Sequence, residues 1–170
     1  MTRFHVCWSH GKESGPWGAK ITALADVARE MGLEADSLDY RGMLDPEARA
    51  ARLEAHCRSI TAPIILAGSS LGGYVAATAA GRVAARGLFL LAPALHLPGI
   101  ASRDDVPPAP FITIVHGWRD DVIPPEHSFD YARRFRAELH LIDGDHRLKE
   151  NIEELKRYFS VFLQRVVESG

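Results

Sequence analysis

Ile64-Ile65-Leu66-Ala67-Gly68-Ser69-Ser70-Leu71-Gly72-Gly73 is the stretch on which the fold turns. Four apolar residues in a row suit a central parallel strand, covered on both faces. Gly68-Ser69-Ser70-Leu71-Gly72 then matches G-x-S-x-G, and the small residues from Gly72 to Ala80 suit a helix lying close against a sheet. Strand, sharp turn and helix are the setting in which that common pentapeptide carries chemistry. Ser70 would stand with its hydroxyl exposed, and side chains at positions 68 and 72 would collide with the neighbouring strand and helix. In the register of Ser69, the rival nucleophile, the flanking positions are Ala67 and Leu71. The local alternative is a flexible Gly-Ser connection with no chemistry.

Outward from that turn, strand-length apolar runs alternate with segments of helical period, which argues for parallel strands joined by crossover helices. Phe4 to Trp8 reads as the first strand, ending at His10-Gly11; Pro16 suits a helix start, and Ile21, Leu24, Ala28 and Met31 share a helix face closed by Gly32. Ala35 to Tyr40 is a weaker strand. Asp45-Pro46 opens a helix with Leu53, Cys57 and Ile60 in one stripe. Leu88 to Leu91 and Phe111 to Val115 are the fourth and fifth strands. Between them Ala92 to Pro110, with five prolines, reads as a loop with room for a short helix. Pro124-Pro125-Glu126 starts another helix, Leu139 to Ile142 is the sixth strand, and Leu148, Ile152, Leu155, Phe159 and Phe162 mark a closing amphipathic helix. The expectation is a single three-layer α/β/α sandwich over residues 1–170, around a mostly parallel six-stranded sheet.

Composition excludes some classes. With 46% hydrophobic and 25% charged residues and a formal charge of −2, the chain has no broad cationic field for nucleic acid. No charged residue falls between Arg58 and Arg82, a length that could span a bilayer, but Pro63, Ser69-Ser70 and Gly72-Gly73 break it into strand, turn and helix. Cys7 and Cys57 belong to no CxxC or Cys/His spacing, so neither a disulfide framework nor a structural metal is expected. Met1 to His5 lacks the positive-then-apolar layout of a secretory signal, which makes a cytoplasmic location the expectation.

Two further segments follow strands: His116-Gly117-Trp118-Arg119-Asp120-Asp121-Val122-Ile123-Pro124 and Asp143-Gly144-Asp145-His146-Arg147-Leu148. The first resembles the H-G-x-x-D-x-x-V-P stretch of α/β-hydrolases, with Ile123 in place of valine; the second resembles their G-x-H loop. The resemblance implies a catalytic acid at Asp120 and a catalytic histidine at His146, in the chain order serine, acid, histidine. It covers nearly the whole chain in a reduced form, without the family's first two strands or a lid domain. All three residues also lie just past the carboxyl ends of the expected strands, where sites form in open α/β sheets. Each has a plain structural alternative, Asp120 as a loop cap and His146 as a helix cap, and Asp121 is the acid if the loop shifts by one. His10 and His116 are read as loop-holding hydrogen-bonders, whereas His127 and His140 are poorly placed as bases.

An oxyanion site would combine the backbone N–H of Leu71 with that of Lys12, since His10-Gly11-Lys12 resembles the family's H-G-x loop. Lysine departs from the apolar residue or glycine of many relatives. Leu95, Trp118 and Tyr74 are candidates for an acyl pocket. The implied activity is that of the small, lidless bacterial serine esterases and thioesterases: hydrolysis of a small-molecule carboxylic ester or thioester through an acyl-enzyme, with no metal and no organic cofactor. A protein-binding module built on the same fold is the alternative. A serine nucleophile argues against epoxide hydrolases and dehalogenases, which use aspartate.

Overall fold

The computed structural model describes residues 3–96 and 107–170. In chain order these form β1 (His5–Ser9), α1 (Ala19–Glu30), β2 (Glu34–Leu38), α2 (Pro46–Arg58), β3 (Ile64–Ser69), α3 (Leu71–Ala80) and β4 (Gly87–Leu91). After the β4–β5 connection come β5 (Phe111–Gly117), α4 (Pro125–Phe135), β6 (Glu138–Ile142), a single 3-10 turn (Lys149–Asn151) and α5 (Ile152–Glu168). The middle of the proline-bearing segment, with Leu97 and Ile100, lies outside the described residues; its flanks hold neither helix nor strand.

All six strands join one sheet in the order β2-β1-β3-β4-β5-β6, and every pairing is parallel. Alternation sends each strand's side chains to two apolar layers. Val6, Trp8, Ile65, Ala67, Phe89 and Leu91 face α1 and α5, while Cys7, Leu66, Leu88 and Leu90 face α2, α3 and α4. Burial on both faces is why β3 and β4 read as continuous apolar runs. Under α5 the core is aromatic: Phe159 meets Trp8 at 5.4 Å and Phe89 at 4.8 Å between ring centroids.

Local signals set the element ends. Asp45 caps α2, its carboxylate accepting the N–H of Glu47 at 3.1 Å, and Pro46 takes the first helical position. Gly32 ends the α1 turn at φ +81°, a conformation costly for any residue with a Cβ. The α1 helix begins at Ala19, later than Pro16, because Pro16 and Trp17 are spent in the turn before it. Strand order reverses between β1 and β3, and the loops after both converge at that switch point.

Candidate active site

Ser70 is the hinge of the site. It sits between β3 and α3 at φ +55° and ψ −122°, a strained backbone for a residue with a side chain. A Cβ on Gly68 would overlap the Gly72 carbonyl, and a Cβ on Gly72 would overlap the Ser9 carbonyl of β1. The two glycines of G-x-S-x-G are therefore required by backbone contact alone. The Ser70 N–H donates to Leu91 O at 3.0 Å, and its carbonyl accepts from Gly73 at 2.9 Å and Ala94 at 3.0 Å, which pins the turn to β4.

From the Ser70 hydroxyl runs a chain of short hydrogen bonds. Ser70 Oγ lies 3.1 Å from His146 Nε2, and His146 Nδ1 lies 2.7 Å from Asp120 Oδ2. Each step joins a different strand end, after β3, β6 and β5. The structure thus brings Ser70, Asp120 and His146 together. Asp121 is exposed at the cleft rim and has no place in the chain. Ser69 is buried beneath, its hydroxyl accepting from Lys20 Nζ at 3.1 Å rather than facing His146.

Asp120 is held from four directions. Its Oδ1 accepts the N–H groups of Val122 at 2.9 Å and Ile123 at 2.8 Å; its Oδ2 takes His146 and, at 2.9 Å, His116 Nε2. Burial works against the carboxylate, but the Ile123 N–H, the His146 imidazole and the Val122 N–H outweigh it and hold its pKa below the usual carboxylate range. His116 is fully buried, and its Nε2 also faces Ile123 O at 3.0 Å. Two acceptors at Nε2 make it the protonated nitrogen, so Nδ1 accepts from the Ser128 hydroxyl at 2.7 Å. Burial lowers the His116 pKa and keeps the ring neutral.

The loop after β1 is tied down in the same way. His10 Nδ1 donates to Gly11 O at 2.8 Å, and its Nε2 accepts the Tyr40 N–H at 2.8 Å. The Arg49 guanidinium, buried in α2, reaches His10 O at 3.3 Å and Gly11 O at 3.4 Å. Lys12 and Leu71 both line the cleft beside Ser70. That cleft, of about 760 Å³, is walled by the post-β1 loop, the start of α1, Ala94, Val122, Ile123 and the loop bearing His146. Lys20 lines it too; burial lowers its pKa to about 8, against the pull of Asp145 and Asp120.

None of the three candidates for an acyl pocket lines this cleft. Tyr74 is buried and its hydroxyl donates to Glu47 Oε1 at 2.9 Å; Trp118 is exposed; Leu95 packs on the α2–α4 layer. His116 holds the loop after β5, as its position before a glycine suggested, and also reaches the Asp120 carboxylate; Lys20 and Arg49 were not legible as site residues. A lone charged residue on a helix looks solvated, and only the packing shows Lys20 and Arg49 turned inward.

Residues 6–168 match the Alpha/beta hydrolase family as a whole. The chain belongs to the alpha/beta hydrolase family. As an alpha/beta hydrolase it is similar to a protein of Xanthomonas campestris pv. campestris assigned to the alpha/beta superfamily of hydrolases, at 35% identity and TM-score 0.87, over 95% of this chain and 98% of that one. It also shares its fold with Est1E from Butyrivibrio proteoclasticus, at 17% identity and TM-score 0.85, over 98% and 89% of the two chains. An alpha/beta serine hydrolase without lid from Xanthomonas campestris matches at 21% identity and TM-score 0.78, over 94% and 81%. No curated protein matches the sequence. Among the described residues of this alpha/beta hydrolase, no helix is long and apolar enough to cross a membrane.

Proposed function

We propose that this alpha/beta hydrolase is a serine esterase or thioesterase, cleaving a small acyl substrate through Ser70, His146 and Asp120. The observation that carries the reading is the unbroken hydrogen-bond chain from Ser70 Oγ through both nitrogens of His146 to a buried carboxylate, opening on a cleft. In that chain His146 Nε2 accepts the Ser70 proton as Oγ attacks the acyl carbon. Asp120 fixes the Nδ1–H tautomer and stabilises the imidazolium that forms. The oxyanion is received by the N–H groups of Leu71 and Lys12, with the N-terminus of α3 adding its positive end. His146 then protonates the departing alcohol or thiol, leaving an acyl-Ser70. A water, deprotonated by His146, releases the acid and restores the serine.

A fluorophosphonate probe with intact-mass detection tests this. One adduct is expected on the folded wild type and on Ser69→Ala, and none on Ser70→Ala. Absence of labelling on a folded wild-type chain would sink the enzyme reading in favour of a binding module. Turnover retained by Ser70→Ala would shift the nucleophile elsewhere.

A further inference from the structure

Away from the cleft, β1, β2 and the end of α2 gather a set of side chains that the hydrolytic site does not use. His5, Cys7, Asp36 and His56 each present one donor atom, and the four atoms lie within 4.8 Å of one another. Register explains the convergence. Cys7 is the partner of Asp36 across the β1–β2 ladder, His5 is two residues earlier on the same strand face, and α2 lays His56 over them. His5 Nε2 and His56 Nε2 both approach Asp36 Oδ2, at 3.0 Å and 2.7 Å. The other carboxyl oxygen, Asp36 Oδ1, is buried and has no hydrogen-bond partner among the described residues. Oδ2 is thus doubly engaged while the buried Oδ1 is left bare. The Cys7 thiol is buried and faces this carboxyl, with Cys57 beside it.

We propose that these four residues form a zinc site, with His5, Cys7, Asp36 and His56 as a tetrahedral N2SO ligand set. The chemistry of the donors selects the ion: two imidazoles, a thiolate and a carboxylate suit Zn2+, whereas Mg2+ and Ca2+ require oxygen alone. With metal bonds of about 2.0 to 2.3 Å, tetrahedral ligand atoms stand roughly 3.3 to 3.7 Å apart. The two imidazole–carboxylate contacts need to open by only about half an ångström to admit the ion. Charge closes as well: the Cys7 thiolate and Asp36 carboxylate neutralise the dication, which a half-buried position requires. On binding, the Cys7 proton leaves to solvent, and each imidazole coordinates neutral through Nε2 with its proton on Nδ1. For His5 that Nδ1 lies 3.6 Å from Glu34 Oε2, the outer carboxylate that commonly orients a zinc-bound histidine. The site would fasten the edge strand β2 and the end of α2 to β1.

The spacing hid this arrangement. The four ligands fall far apart in sequence and form no CxxC or HxxxH pattern; only the strand register brings them together. The site shares no ligand with the Ser70 cleft, so its failure leaves the hydrolase reading standing.

The test is Co2+ titration of the metal-stripped full chain, followed by competition with Zn2+. One equivalent of Co2+ should give the intense visible bands of a tetrahedral site and a thiolate-to-cobalt charge-transfer band, both erased by Zn2+. Saturating Zn2+ should raise the thermal midpoint, by an amount that grows with the logarithm of its excess over Kd. Cys7→Ser should abolish the charge-transfer band and Cys57→Ser keep it. Because Cys7 is fully buried, a second variant decides independently of its folding: His56→Gln changes a partly exposed helix residue and should weaken Zn2+ at least about 100-fold, since loss of an outer partner alone costs 10- to 100-fold. Fluorophosphonate labelling of Ser70 should be unchanged in His56→Gln. No charge-transfer band on the folded wild type, a band that persists in Cys7→Ser, or Zn2+ affinity indifferent to His56→Gln would each overturn the assignment.

Discussion

Asp120 and Asp121 are chemically identical neighbours, and the protein treats them differently. Asp120 is closed in by two backbone N–H groups and two imidazoles, whereas Asp121 points to the rim. Asp120→Asn preserves the shape but removes the charge opposite the imidazolium, and kcat should fall by about 10³ to 10⁴. Asp121→Asn should change kcat little; the reverse order in steady-state assays would move the acid. Lys20 supplies a second residue-level test. Its ammonium lines the cleft, and with a pKa of about 8 it loses its charge as pH rises through that value. An ester bearing a carboxylate on its acyl part should therefore be favoured over a neutral ester of equal length below pH 8 and lose that preference above it. In Lys20→Met the ratio of the two kcat/KM values should be flat with pH; an unchanged profile in that variant would free Lys20 of the role. Ser70, Asp120 and His146 were legible because each stands in a loop with its own glycine pattern. Lys20 and Arg49 were not, because nothing in a helix sequence says which charged residue turns inward when its neighbours pack.

At the level of elements, the proposed esterase activity makes the connection from β4 to β5 the place where acyl-chain length would be selected. A lid inserted there would bury long acyl chains and add apolar contact; this connection runs only from Ala92 to Pro110, and of its described residues Ala94 lines the cleft. Each methylene buried contributes about 0.8 kcal/mol, so affinity should grow over the first few carbons and then stop. The expected profile is a kcat/KM optimum at acetyl to butyryl esters, with no jump when substrate passes into an emulsion. A steady rise to palmitoyl esters in soluble assay would show an acyl channel in the connection. Helix boundaries and strand cores were readable here from local chemistry, as at the start marked by Asp45-Pro46 and the end marked by Gly32. The β2 strand was the weakest reading, since Glu34, Asp36 and Ser37 offer little apolar signal; their place is fixed by the ladder with β1.

For the molecule as a whole, two buried neutral imidazoles govern the response to acid. Burial lowers the pKa of His10 and of His116 from the ordinary value of 6.5. Below that pH the unfolded chain takes up protons at these positions that the folded chain refuses, so stability falls as pH drops under 6.5. The Asp120 carboxylate, with its lowered pKa, adds stability that persists further down and is lost only as pH falls through its own folded value. Urea midpoints should decline between pH 7 and pH 5, less steeply in His116→Gln; a flat midpoint would contradict the burial of both rings. The alternation of strands and helices revealed the layers, but the order β2-β1-β3-β4-β5-β6 did not follow from it, because each crossover can step either way along a sheet. That order has a practical side. Everything before the β4–β5 connection carries Ser70, Lys12 and Leu71, and everything after it carries Asp120 and His146, so the proposed mechanism draws on both sides. Severed inside that connection, the chain would become two inert halves, each holding part of one reaction, and ester turnover would then report whether two fused partners had met.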